Sequence, residues 1–476
     1  MSILSELRGK RVLILGFGRE GQSTLSFLQE RAPDIDIGIA DQRTRDQMSP
    51  REQAAISALP TGRVLLGQSY LEAIREAEVV FRAPGLSLDV PALRRARDSG
   101  TRITSLVNLF FDVAPGRVIG VTGTKGKSTT TSAIHAVLRD AGLDARLGGN
   151  IGIPLLSCLD GATEETVFVV ELSSFQLSDL ERSPHLAVIQ NVVREHLDYH
   201  GTFERYVGAK ANIARHQGPG DYVVFNGGHD VPRALASLSP GTKIAFGLEP
   251  SPEAACFVAR EWLVHRENGS VTPVLPVADV PLPGAHNLLN VMPAIAVGRL
   301  LGVEVTSIAA SIRSLRALPH RLQVVHQWRG RDFYNDSLST VPEAAMAALS
   351  ALGDRPTVLI AGGHDRGQEW SVLADAILRA NVRAVVLLPE TGPLLMAALQ
   401  QRAACLSGID PPRMLPASTM AKAVRCAVEA SEPGSAILLS PAAASFGVFR
   451  DYEDRGNQFR DAVVQVCSAA DGSPVP

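Results

Sequence analysis

The sequence predicts an α/β protein of three consecutive domains, and three observations predict it. The chain has 476 residues, and at roughly 150 residues per domain that exceeds a single compact core. Short β-branched runs alternate with longer helix-forming stretches, the pattern of strands returned to a sheet by crossover helices. Two breaks interrupt the alternation, Pro115-Gly116 and Leu318-Pro319-His320. They set expected domains at 1–114, 115–317 and 318–476.

Taken in order, the first domain opens with RVLILG, a Gly-rich turn, a helical stretch and a second run ending in Asp41. That is a Rossmann-like βαβ opening. Its turn, Gly16-Phe17-Gly18-Arg19-Glu20-Gly21, matches GxGxxG, and Asp41 ends the next strand where a ribose-binding acid would sit. Three readings stay open: a tight βα turn with no ligand, an NAD site, or a site for the diphosphate of a UDP-sugar at a helix N-terminus.

The second domain begins with VIGVT (Val118–Thr122), which runs into Gly123-Thr124-Lys125-Gly126-Lys127-Ser128-Thr129. A buried strand, a Gly-rich loop and a helix in that order predict a P-loop ATPase-like parallel sheet whose backbone cradles phosphate oxygens. Lys127 would reach the β/γ-phosphates, and Ser128 or Thr129 would contact Mg²⁺. Val121 stands at the first glycine position of the general GxxxxGK[ST] pattern. Glu171 ends VFVVEL and His196 follows LAVIQNV, so both are expected at strand tips, where a carboxylate and an imidazole suit Mg²⁺. Asn287 and Asn290 share one helix face and can meet an adenine edge, with N-capping the competing explanation for Asn287. In the third domain TVLIAGG, AVVLLPE and AILLSP, each bracketed by helical stretches, predict a second Rossmann-like fold.

Composition narrows the function. Hydrophobic residues are 45% and charged residues 20%, enough to build real cores and too apolar for disorder. With 46 Lys+Arg against 49 Asp+Glu, the net charge of −3 lacks the basic field that nucleic-acid binding needs. The five cysteines are scattered without a CxxC pair, which fits a reducing cytoplasm and neither a disulfide framework nor a zinc site. No signal-peptide order and no uninterrupted apolar span is seen, so no membrane partner is expected.

The loop TGTKGKST resembles the ATP loop of the Mur ligases, which add amino acids to the UDP-N-acetylmuramate precursor of peptidoglycan. GGNIGIP (148–154), ELSSFQL (171–177), NVVREHLDYHGTFERYVGAK (191–210), GAHNLLN (284–290), LPHR (318–321), NDS (335–337) and LSPAAASF (439–446) match in family order. The likeness is nearest to the branch that attaches glutamate to UDP-N-acetylmuramoyl-L-alanine. It implies ATP and two Mg²⁺ ions, with Ser128, Glu171, His196 and a carbamylated Lys210 as metal ligands, and Lys127, Lys210 and His196 as catalytic groups. It further implies UDP-substrate contacts at Gly18, Arg19, Glu20, Asp41, Asn150, Ser173 and Gln176. ATP contacts are implied at residues 123–129, Asn287, Asn290, Arg321 and Asp336, and an amino-acid pocket at Thr340, Arg366, Ser445 and Phe446. A monomer acting on small-molecule substrates is expected. The implied chemistry is phosphorylation of the L-alanyl carboxylate, then attack of an amine on the acyl phosphate.

Two stretches depart from the D-glutamate-adding pattern. Asp336-Ser337 is followed by Leu338 where that pattern has a lysine, and Arg366 lies near the place of a second lysine. With the Arg19-Glu20 pair in the first loop, these resemble the branch that attaches L-glutamate, which is the expectation taken forward with D-glutamate as the alternative. Three rivals are a nicotinamide dehydrogenase, a folylpolyglutamate synthetase and a non-catalytic nucleotide-binding protein. The first leaves the ATP loop unused, and the second usually lacks the N-terminal domain.

Overall fold

A computed structural model describes residues 3–60, 62–405 and 410–471. The chain forms two compact units. One comprises residues up to Val280 with His286–Leu315, and the other Pro281–Ala285 with the chain from Arg316 onward. The described residues form three sheets of five, nine and six strands.

In the first unit, Arg11–Leu15 lies between Asp36–Asp41 and Val79–Arg82, flanked by Val64–Leu66 and Arg102–Thr104, all parallel. The nine-stranded sheet places Arg117–Thr122 between Val167–Glu171 and Leu186–Ile189. Connections depart to opposite sides of Arg117–Thr122, so the segments after residues 122, 171 and 189 open into one crevice at the sheet's carboxyl edge. That switch point is where ligands gather in open α/β sheets.

The central sheet is not purely parallel, contrary to expectation. Ala254–Ala259, Trp262–Glu267 and Ser270–Pro276 form an antiparallel meander on one edge. Two-residue turns make it: Arg260-Glu261 and Asn268-Gly269, all at positive φ, the twist that tight hairpins require. The second unit repeats the device at Arg329-Gly330, which pairs Gln323–Trp328 antiparallel with Arg331–Asn335. Its other strands are parallel, with Ala436–Leu439 between Arg331–Asn335 and Thr357–Gly363. A second switch point results, gathering the segments after residues 335, 363 and 439.

The first two sheets share one apolar core. Phe110, on the helix Leu106–Val113, meets Phe168 edge to face at 5.2 Å, and a single cluster runs from Leu7 through Phe110 to Phe225. Beside it Arg82, fully buried, donates to Asp179 at 2.9 Å and to the Leu86 carbonyl at 2.6 Å. Asp179→Ala removes the carboxylate that the buried guanidinium donates to. It is expected to lower the unfolding free energy by about 3 kcal/mol, read by urea denaturation. A loss below about 1 kcal/mol would mean that the surrounding carbonyls alone hold Arg82. No described helix is long and apolar enough to cross a membrane.

Candidate functional site

The phosphate-loop candidate leaves Thr122 and enters the 14-residue helix Lys127–Asp140 at Gly126, whose φ is +84°. A side chain there would be strained, and its Cβ would run into Asn290 Oδ1. The helix N-terminus faces the crevice with its positive dipole end. Thr124 Oγ1 is fixed by Tyr206 OH (2.8 Å) and Val193 (3.0 Å to its carbonyl oxygen). Gln190 Nε2 ties Thr130 Oγ1 to the Leu289 carbonyl. Lys127 Nζ donates to the Gly123 and Thr124 carbonyls at 3.1 and 2.9 Å. Lys125 pairs with Glu195 at 2.6 Å.

Lys210 projects from the helix Phe203–Arg215 into the same crevice, buried, and donates to Gly123 O (2.8 Å) and Thr122 Oγ1 (3.2 Å). Burial, then the nearby Lys127 charge, pushes its pKa well below the usual lysine range. Glu171 is buried; Asn150 Nδ2 bonds its Oε1 at 2.6 Å, while Oε2 finds no partner among the described residues. An unpaired buried carboxylate oxygen within electrostatic reach of Lys210 fits a hard cation such as Mg²⁺. Among the described residues no three His, Cys, Asp or Glu side chains gather as a metal site, here or elsewhere. His196 sits at a left-handed φ of 56° before the short helix Leu197–His200, its ring 4.8 Å from Phe175. Burial, opposed by Glu195, lowers its pKa and favours the neutral imidazole.

Several predicted substrate contacts are engaged with one another. Asn150 orients Glu171. Ser173 and Gln176 form a capping box, and Gln176 Nε2 reaches Glu20 at 2.7 Å. Burial raises the Glu20 pKa against the pull of that bond. Asp41 accepts the Phe17 N–H (2.6 Å) and the Arg43 N–H (2.8 Å), so it holds the Gly-rich turn in place. Asn287 lies inside the helix Ala285–Leu300 instead of capping it and accepts from Asn290 Nδ2 at 2.9 Å. Gly18 and Arg19, with Arg43 and Arg51, line a cleft of about 1070 Å³ that Pro154 and Ser157 close on the other side.

The second unit has its own cluster. Asp336 is buried and accepts from Ser339 Oγ (2.5 Å), Ser440 Oγ (2.8 Å) and Leu322 N (3.0 Å), while burial pushes its pKa up to about 6 despite these bonds and the Arg321 charge. Arg455 is fully buried, and burial brings its pKa down to about 9. It clamps Ser337 to the Ala443 and Ala444 carbonyls. Ser445 is buried, Phe446 is half exposed with the Arg366 guanidinium 5.4 Å from its ring centre, and Thr340 is half-buried.

Sequence reasoning missed Arg82, Gln190, Glu195, Tyr206, Ser440 and Arg455. Their partners lie far away along the chain; in FRAPG the only signal was an arginine at the end of a buried strand.

An α/β chain with an anion-cradling loop at the switch point of its central sheet, and a buried lysine and carboxylate against that loop, is of the nucleotide-dependent ligase class. The chain belongs to the Mur ligase family. Residues 10–105 match the MurD-like N-terminal domain, 121–298 the Mur ligase middle domain and 320–443 the glutamate ligase domain. UDP-N-acetylmuramoylalanine--D-glutamate ligase of Symbiobacterium thermophilum is 36% identical over 456 residues, covering 95% of this chain and 98% of its own. The ligase of the same name from Geobacillus kaustophilus is 36% identical over 460 residues, covering 95% and 97%. MurF ligase from Thermotoga maritima, solved with ADP, shares the fold at a TM-score of 0.59 and 17% identity, covering 99% of this chain and 98% of its own. The relatives' names specify D-glutamate, where the sequence departures led us to expect L-glutamate.

Proposed function

We propose that this chain is an ATP-dependent ligase that joins glutamate to UDP-N-acetylmuramoyl-L-alanine in the making of peptidoglycan precursors, acting in the cytoplasm as a monomer. The observation that carries it is the crevice where Lys210, Glu171 and the Gly123–Thr129 loop meet. ATP phosphorylates the L-alanyl carboxylate, ADP leaves, and the glutamate amine attacks the acyl phosphate carbonyl, forming the amide and expelling phosphate. Lys127 and the helix N-terminus hold the phosphates in line. Arg19, Arg43 and Arg51 give the cleft beside the first loop the charge that a UDP diphosphate needs.

Mg²⁺, when bound, neutralises phosphate charge; Ser128, Glu171, His196 and a carbamylated Lys210 would hold it. Carbamylation is chemically apt, because only a neutral amine adds CO₂ and burial favours that form of Lys210. Ser173 and Gln176 keep the Glu171 segment against the first domain, and Arg321 with Asp336 orders the second unit's loops.

D-glutamate is the enantiomer that the relatives' names support. One observation keeps L-glutamate as a second reading: Leu338, half-buried, replaces the family's lysine, while Arg366 stands over Phe446 as a relocated carboxylate partner. Purified protein given UDP-N-acetylmuramoyl-L-alanine, ATP, Mg²⁺ and one enantiomer at a time decides by product mass and phosphate release. Turnover with D-glutamate alone is the expected result. Turnover with L-glutamate alone transfers the assignment to the second reading, and turnover with neither rejects both.

A further inference from the structure

Two consecutive residues of the first Gly-rich turn cross to the central domain. Arg19 Nη1 donates to the Gly152 carbonyl at 3.2 Å, and Glu20 Oε1 accepts from Gln176 Nε2 at 2.7 Å. The second contact is the enclosed one. Gln176 is buried, and its Oε1 accepts the Ser173 N–H and hydroxyl at 3.0 and 3.1 Å, which fixes the amide so that Nε2 is the end facing Glu20. Glu20 Oε2 is buried and meets no partner among the described residues. One oxygen of this carboxyl is engaged with Gln176 and the other is sealed from solvent, so the group serves the protein's own framework.

What Glu20 holds is the short helix Ser174–Leu177, whose first three side chains divide their contacts. Gln176 turns to Glu20. Ser174 Oγ lies 3.0 Å from His200 Nε2. The Phe175 ring centre lies 4.8 Å from that of His196, and the same ring stacks on His200 at 5.6 Å with 2° between the planes. Arg82, also from the first domain, donates to the Phe175 carbonyl (3.3 Å) and to Tyr199 OH (3.2 Å). His196 needs such support, because a left-handed φ of 56° is strained for a residue with a side chain and persists only where neighbours enforce it.

We propose that Glu20 is a positioning residue for the phosphate and metal crevice: acting from the first domain, it holds the Ser174–Leu177 helix through Gln176, and Phe175 on that helix holds the His196 ring. The inference rests on the reading of that crevice as the Mg·ATP site. Glu20→Ala leaves the Gln176 donor buried and unmatched, which frees the helix. In calorimetric titrations of the full-length protein with Mg·ATP, Glu20→Ala should raise Kd about tenfold, the effect of one lost bond to a charged acceptor. Glu20→Gln, which keeps an oxygen for Gln176 Nε2, should stay within about twofold of the wild type. Glu20→Asp keeps the charge but withdraws the oxygen by one methylene; it should weaken binding as alanine does, and it carries the test if Glu20→Ala fails to fold by circular dichroism. Gln176→Ala should match Glu20→Ala, and the double variant should be no weaker than either, as two ends of one bond require. An unchanged Kd in Glu20→Ala and Glu20→Asp, an equal loss in Glu20→Gln, or additive losses in the double variant overturns the proposal. Wild-type protein that binds Mg·ATP yet ligates neither enantiomer removes the ligase reading and leaves these titrations to decide. Wild-type protein that binds no Mg·ATP overturns the crevice reading and this proposal together.

Discussion

Lys127→Ala should abolish ATP-dependent ligation while leaving the circular dichroism spectrum unchanged. The side chain is half-buried at the first turn of Lys127–Asp140, and its ammonium rests on the Gly123 and Thr124 carbonyls. It fills no core, so truncation leaves the sheet and helix packing intact. What disappears is a cation held in place before phosphate arrives. Removing one preorganised group of this kind costs on the order of 10²–10³ in turnover. Phosphate release dependent on UDP-N-acetylmuramoyl-L-alanine and glutamate measures it, and retention of most of the wild-type rate would remove Lys127 from the mechanism.

Lys210→Ala should be as damaging, for a different reason. Lys210 is buried against Thr122 and Gly123, with Glu171 close enough for its charge to be felt. Alanine removes the nitrogen that would carry the carbamate and leaves a polar void lined by the loop. We expect a loss on the order of 10²-fold or more, with small carboxylic acids such as formate or acetate restoring part of the rate by supplying the missing oxygens. Rescue separates this role from packing, because a void that merely loosens the core would not be repaired by an anion. A freely mutable Lys210, or the absence of a carbamate by mass and carbon-13 resonance, would count against it.

Much of the fold was legible because its signals are local. VIGVT, VFVVE and LAVI read as buried strands from β-branched runs alone, and each is a strand of the central sheet. Glu171 and the 123–129 loop follow from their positions at strand tips. The meander at 254–276 was also signalled, since Asn268-Gly269 is a strong hairpin pair, but the run of parallel strands before it masked the change of direction. What stayed hidden was the network behind the site. Tyr206 reaches Thr124 across 82 residues and Arg455 reaches Ser337 across 118, and no periodicity in a single sequence reports such pairs. Asp41 shows the middle case, a position correctly placed beside the turn whose carboxylate is engaged in holding Phe17 and Arg43.

The shared core of the first two sheets has a consequence for how this chain can be divided. Pro115-Gly116 looks like a seam, yet Asn108 Nδ2 donates to the Asp179 carbonyl at 2.8 Å and its Oδ1 accepts the Glu181 N–H at 2.9 Å. Phe110 and Arg82 bury themselves in the same wall. Cutting at that seam would strip Phe110 and Arg82 of their cover on one fragment and bare Phe168 and Asp179 to water on the other. The family's modular vocabulary of N-terminal and middle domains therefore describes ancestry and topology here, while the smallest piece that keeps its apolar surfaces covered contains both.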